Sequence, residues 1–276
     1  MKRRIEAYAK LNVALRVIRR RDDGFHEIDS LVQTIDLCDE IRIERAEHPL
    51  EVRNTAAIEG RDLAEVAARR LLAAKGTDPS FRILIEKRIP IGAGLGGGSS
   101  DAATVLNVLD VMTPPSIGPN ALREIAAEIG SDVSLFLEGG LQRIRGRGEW
   151  TGPVASDREE HYVVIVPPVH CATGPVYAAW KPAERNASAS LVRGENDLLT
   201  AAISLYPELA PYRDAAQALS AAYWGMSGSG SSFYAAFKEG SAALAAATYV
   251  AELLPSARVF TCRAVDSGHR VIEETS

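Results

Sequence analysis

Residues 90–103 read PIGAGLGGGSSDAA, and no other stretch restricts the architecture of this 276-residue chain as strongly. Five of the seven residues from Gly92 to Gly98 are glycine; Ser99, Ser100 and Asp101 follow, and then the apolar helical run AATVLNVLDVM. Successive residues without Cβ atoms let several backbone N–H groups converge on one point. A helix opening at Ser99–Asp101 aims its positive end at that same point. The expected product is a polyphosphate pocket built from Pro90, Gly92, Ala93, Gly94, Leu95, Gly96, Gly97, Gly98, Ser99 and Ser100. One of the two hydroxyls, Ser99 or Ser100, is placed to ligate a bound cation. A plain serine-capped turn is a poor account of so much glycine, whose ordering costs backbone entropy.

Three phosphate-binding designs compete for the stretch. A Walker A loop ends in Gly-Lys-Ser/Thr, but Gly98 is followed by Ser-Ser, so there is no loop lysine. Gly92-x-Gly94-x-x-Gly97 after the strand-like FRILIEKR spells the dinucleotide fingerprint, which also needs a second strand after its helix. Here the helix runs to about Met112, the chain turns at TPPSIGP, and another helical pattern begins near Pro119, so no βαβ unit closes. The third design is the glycine-serine loop of the GHMP small-molecule kinases, whose P-x-x-x-G-L-G-x-S-S-x-A-A signature the stretch closely resembles. The inserted Gly-Gly before Ser-Ser-Asp is similar to the branch whose acceptor is a methylerythritol carrying a diphosphocytidyl group.

Composition narrows the partners. A net charge of -5 is a poor match to general nucleic-acid binding, so local positive groups must meet a polyanionic substrate. Cys38, Cys171 and Cys262 lie far apart, with no CxxC or metal spacing, as in a reducing compartment. No apolar run approaches the ~18 residues of a membrane span. Patterned sequence starts within a few residues of Met1, leaving no room for a targeting peptide. A cytoplasmic protein with a small-molecule substrate and neither nucleic acid nor membrane is expected, as a monomer or homodimer.

Along the chain, residues 3–19 alternate apolar and polar, which predicts two strands or one long bent strand with Ala9–Lys10 at the junction. Asp23-Gly24 supplies a turn, and strands are expected near 27–36, 40–45 and 81–88, with a helix over 62–75. Gly130 suits a helix end, and Ser131 or Asp132 suits a new N-cap. Later come a strand and turn in LQRIRGRGEW and a buried strand in HYVVIVPP, then helices at 174–181 and 196–222. A strand near 233–237, a helix at 240–253 and a last strand in ARVFTCRAV complete the pattern. Irregular alternation argues α+β, and the turn-rich TGPVASDREE marks a division into residues 1–157 and 158–276.

A nucleotide loop does not make a kinase; an acceptor hydroxyl must be held, its proton removed and the moving charge neutralised. Lys10, in AYAKLN, would ordinarily be a strand lysine facing solvent; Asp132, in GSDVSLF, would ordinarily be an N-cap. Facing each other, the carboxylate could take a hydroxyl proton while the ammonium stabilises the alkoxide and the phosphoryl group. The resemblance extends to AKLN with RRxDGFH and to GSDV. It implies that Lys10 and Asp132 are the catalytic pair, that Asn12 helps hold the erythritol, and that Phe25 and His26 meet the cytosine. The family commonly has tyrosine at position 25 and proline at 134, and this chain lacks the usual Asn-Leu start of its first helix. MSGSGSSFYAAF resembles the third GHMP motif, implying that Gly228, Ser229 and Gly230 close over the phosphates. Tyr177, in GPVYAAW, would cover the cytosine or else be a core tyrosine. Asn196-Asp197 matches a further motif. The resemblance implies an N-terminal domain like the second domain of ribosomal protein S5, a ferredoxin-like C-terminal αβ domain, ATP as donor and Mg2+. Rivals are a GHMP kinase acting on homoserine, mevalonate or a sugar, and a nucleotide-binding module without catalysis.

Overall fold

A computed structural model describes residues 1–57, 60–77, 80–156, 159–182 and 190–275. Its first half contains β1 (Lys2–Arg20), β2 (His26–Arg45), β3 (Glu51–Asn54), α1 (Leu63–Lys75), β4 (Phe81–Glu86), α2 (Gly97–Met112), α3 (Pro119–Ile129), α4 (Val133–Glu138), β5 (Leu141–Gly146) and β6 (Trp150–Pro153). The second half runs β7 (His161–Val166), α5 (Thr173–Ala179), α6 (Leu199–Leu205), α7 (Ala210–Ala218), β8 (Tyr223–Met226), β9 (Phe233–Phe237), α8 (Gly240–Leu253), β10 (Arg258–Arg263) and β11 (His269–Thr275).

β1 is one bent strand whose ladder slips at Tyr8/Ala9, Asn12/Ala14 and Val17/Arg19. At the first of these the pairing drops from Cys38 to Ile35, so β2 carries two extra residues and the ladder bends. Ile5 and Ala7 join the main core with Val105 and Leu106 of α2, Ala9, Leu11 and Val13 join a smaller core with Tyr162 and Tyr234, and Leu15 and Val17 return to the main core. Between the first two slips, Lys10 and Asn12 lie on the same face. Lys10 is buried at 5% exposure, with its Cγ beside Gly96. The ordinary reading of a solvent-facing strand lysine fails because the glycine loop covers this face of β1, with Lys10 N bonded to Leu95 O.

The two strands expected at 27–36 and 40–45 are one, β2; its pairing jumps from Cys38 opposite Tyr8 to Ile35 opposite Ala9 and leaves a bulge between them. The first sheet runs β11-β1-β2-β4-β3, with β5 and β6 continuing from β2. The second runs β10-β7-β9-β8 and is wholly antiparallel. With helices between β7 and β8 and between β9 and β10, that is the ferredoxin-like arrangement. The long helix expected at 196–222 is broken around Pro207 and Pro211 into α6, a 3-10 turn and α7. ARVFTCRAV is not the last strand either: β11 follows and pairs with β1 over Lys2–Ala7. The expected division at 157/158 lies outside the described residues. β7 to β10 form the second sheet after it, but β11 belongs to the first, so not everything beyond 158 is one unit. Among the described residues no helix is long and apolar enough to cross a membrane.

Candidate active site

The glycine loop is a wall between two cavities. One, of about 580 Å3, is lined by Lys10, Asn12, Phe25, His26, Asp132 and Tyr177 among others. The other, of about 320 Å3, is lined by Pro90–Ser99 together with Asn54, Asp62, Lys87 and Asp101. Gly94 and Gly96 line both. Their φ angles are +77° and +74°, and a Cβ on Gly94 would stand 2.4 Å from the Ser227 carbonyl oxygen. Glycine is required there by both conformation and space.

The loop is bolted from both sides. Lys10 N donates to Leu95 O at 3.0 Å, and Ser232 N donates to Ala93 O at 3.3 Å. The Ser227 hydroxyl donates to Gly94 O at 2.9 Å and accepts from Asn12 N at 3.1 Å. Asn196 Nδ2 donates to Met226 O at 2.7 Å and to Gly228 O at 2.8 Å, holding the second glycine segment. Gly228 and Ser229 line the larger cavity, and Gly230 lies behind them against Cys171 and Met226.

Lys10 Nζ stands 3.7 Å from Asp132 Oδ2 and donates to Asn12 Oδ1 at 2.5 Å. Asn12 is fixed in turn, because its Nδ2 donates to Ser30 Oγ at 3.0 Å. Burial pulls the Lys10 ammonium below the ordinary lysine range, and the Asp132 carboxylate partly opposes that. Asp132 opens α4, yet its backbone is helical (φ -85°, ψ -8°) and its side chain makes no capping hydrogen bond. Asp132 thus takes the expected N-cap position, but its carboxylate caps nothing and faces the cavity. A hydroxyl entering between the two groups would meet a proton acceptor and a cation together.

The four residues carried over for the acceptor converge on the same cavity. His26 packs on Tyr177 with ring centroids 5.1 Å apart and meets Trp180 edge-on at 5.8 Å. Burial, with Arg20 nearby, lowers the His26 pKa, so its imidazole is neutral and can both donate and accept. Burial and the Asp132 charge raise the Tyr177 phenol, which stays protonated. Phe25 is 56% exposed, with the Arg147 guanidinium 5.0 Å from its ring centroid. Arg20, Arg147 and Thr173 also line this cavity and were not singled out by sequence. The two arginines sit in the basic turns RRRDDG and RGRG, and that was the only available signal.

For a cation, Ser99 lines the smaller cavity, whereas Ser100 is fully buried with its hydroxyl unpartnered. Among the described residues no group of three His, Cys, Asp or Glu side chains could hold a metal. A Mg2+ held by one hydroxyl and nucleotide phosphates fits this donor set.

A phosphate loop between two cavities, with an ammonium–carboxylate pair on its far side, defines a small-molecule kinase. The family model for the GHMP kinases N terminal domain matches residues 62–140, and that for the GHMP kinases C terminal matches 179–256. A 4-diphosphocytidyl-2-C-methyl-D-erythritol kinase from Thiobacillus denitrificans is 37% identical, over 76% of this chain and 78% of its own. One from Geobacter sulfurreducens is 36% identical, over 88% of this chain and 92% of its own. A crystal structure of 4-(cytidine 5'-diphospho)-2C-methyl-D-erythritol kinase superposes with a TM-score of 0.81 at 33% identity, covering 96% of this chain and 99% of that one. Homoserine kinase from Cytophaga hutchinsonii, 16% identical, shares the fold with a TM-score of 0.78, covering 98% of this chain and 97% of its own. The chain belongs to the 4-diphosphocytidyl-2-C-methyl-D-erythritol kinase family of the GHMP kinases.

Proposed function

We propose that this chain transfers the γ-phosphoryl group of ATP to the 2-hydroxyl of 4-diphosphocytidyl-2-C-methyl-D-erythritol, giving the 2-phosphate and ADP. That reaction is a step of the non-mevalonate route to isoprenoid precursors. The observation that carries the reading is the Lys10–Asp132 pair, 3.7 Å apart, in the cavity that also gathers Phe25, His26 and Tyr177.

ATP lies against Pro90–Ser99 in the smaller cavity, and the acceptor enters the larger one. The Ser99 hydroxyl would help hold Mg2+, which when bound would supply neutralisation of the triphosphate charge. Asn12 and Lys10 orient the acceptor hydroxyl, and Asp132 takes its proton. The buried ammonium of Lys10 stabilises charge on the attacking oxygen and the transferred group in a region of low dielectric. Phe25 offers a face for the base, His26 reads its edge, and Tyr177 closes it from the second sheet's side. Gly228, Ser229 and Gly230 shape the wall beside the transferred group. We place the reaction in the cytoplasm, in a monomer or homodimer; the three cysteines are all free, which accords with a reducing compartment.

The test is ADP release from ATP and Mg2+ with this acceptor, and with homoserine, mevalonate and galactose in parallel. Turnover with the cytidylyl acceptor alone is expected. Turnover only with another acceptor would remove the base-reading role of Phe25 and His26.

A further inference from the structure

The chemistry above makes no use of Lys87, Asp39 or Asp101, yet their side chains form a buried charge cluster beside the nucleotide cavity. Lys87 Nζ donates to Asp39 Oδ2 at 2.5 Å and to Asp101 Oδ2 at 2.6 Å, with side-chain exposures of 4%, 0% and 5%. Asp39 Oδ1 accepts from the backbone N–H groups of Arg88 at 2.6 Å and Ile89 at 2.8 Å. The loop backbone rests on this cluster: a Cβ on Gly97 would stand 3.3 Å from Asp39 Oδ2. Lys87 and Asp101 both line the cavity, and Asp101 Oδ1 is buried there without a hydrogen-bond partner.

The cluster joins β2, the residues that lead into the loop, and the first turn of α2 that leaves it. One ammonium thus ties both ends of the loop. Its composition is unusual for the floor of a polyanion site, because two carboxylates outnumber one ammonium.

We infer that Lys87, clamped between Asp39 and Asp101, is a positioning residue that sets the spacing of the nucleotide loop's two ends. This rests on the reading that the smaller cavity takes the nucleotide and the larger one the cytidylyl group.

Binding of MgADP and, separately, of CDP is measured by calorimetry for the wild type, Asp101→Ala, Asp101→Asn and Lys87→Met, with a melting curve for each. Loss of one charge-assisted hydrogen bond should weaken ADP binding ~10–100-fold in Asp101→Ala. The amide of Asp101→Asn can still accept from Lys87, so it should restore affinity to within about threefold at neutral pH. CDP binding should stay near wild type in both. Lys87→Met leaves two buried carboxylates without a counter-charge and should lose the most ADP affinity if it folds.

Should the alanine and methionine variants not fold, Lys87→Arg decides: it keeps the charge of the clamp but not its dimensions, so it should weaken ADP binding ~3–10-fold and leave CDP binding near wild type. Wild-type ADP affinity in Asp101→Ala or Lys87→Arg, or equal losses of ADP and CDP binding, would each overturn the inference. Failure of the wild type to bind CDP would instead strike the reading of the larger cavity and leave the ADP comparison standing.

Discussion

The hydroxyl of Ser227 donates to the carbonyl of Gly94 at 2.9 Å, and this contact holds the first glycine segment against the second. It also leaves no room for a side chain at Gly94. A Cβ there would stand 2.4 Å from Ser227 O and 2.9 Å from Gly230 O, in a left-handed conformation. Gly94→Ala should cost roughly 2–5 kcal/mol of stability, from strain and overpacking together. Gly98→Ala is the control, because its nearest neighbour would be Leu63 Cδ1 at 4.0 Å. It should hold or raise the melting temperature, since alanine suits a helix better by about 0.5–1 kcal/mol, and should weaken ATP binding only. Melting curves with ATP titrations separate the two.

Asp132→Asn should leave ATP affinity near wild type and cut kcat by ~10²–10⁴-fold, the usual range for a lost general base. Because Asp132 makes no capping hydrogen bond, stability should not register a lost cap. Near-normal turnover would take this residue out of the mechanism.

Lys10 must be protonated to act, so kcat should fall as pH rises through its pKa. Burial lowers that pKa and the Asp132 charge raises it, which puts the basic limb below the ordinary lysine range. Removing the carboxylate charge removes the raising influence. The basic limb of the residual Asp132→Asn activity should therefore move to lower pH. A limb that stays put would mean that another group titrates.

Phe25 is largely exposed, so Phe25→Ala should fold normally. It should raise KM for the cytidylyl acceptor by the equivalent of roughly 1–3 kcal/mol, the usual worth of a base stacked on a ring. KM for ATP should not move. An unchanged acceptor KM would place the base elsewhere.

Asn196→Ala removes the donors to Met226 O and Gly228 O, and the acceptor for Leu198 N at 2.9 Å. Leaving those backbone groups unmet should cost about 1–3 kcal/mol. Because the second glycine segment is then loosened on the acceptor side, KM for the acceptor should rise more than KM for ATP.

What the sequence shows depends on how local the signal is. The loop, α2, β9 and α8 are legible because glycine density, helical period and short apolar runs act within a few residues. The burial of Lys10 is not, because it depends on the glycine loop closing over that face of β1, which the alternation of residues 3–19 does not display. Asp39 lay in a gap between two expected strands; Lys87 follows it by 48 residues and precedes Asp101 by 14. No periodicity links such positions. β11 escaped notice because its mostly exposed residues lack an apolar alternation.

The pairing of β11 with β1 has a consequence for biosynthesis. The strand that carries Lys10 and Asn12 leaves the ribosome well before its neighbour over Lys2–Ala7, which is not made until residues 269–275. Until then the amino-terminal edge of the first sheet is open to any passing strand. A nascent chain interrupted within the second sheet therefore holds the whole glycine loop and the Lys10–Asp132 pair on a scaffold with an unsealed seam. Seating residues 269–275 is therefore what closes the first sheet on that side.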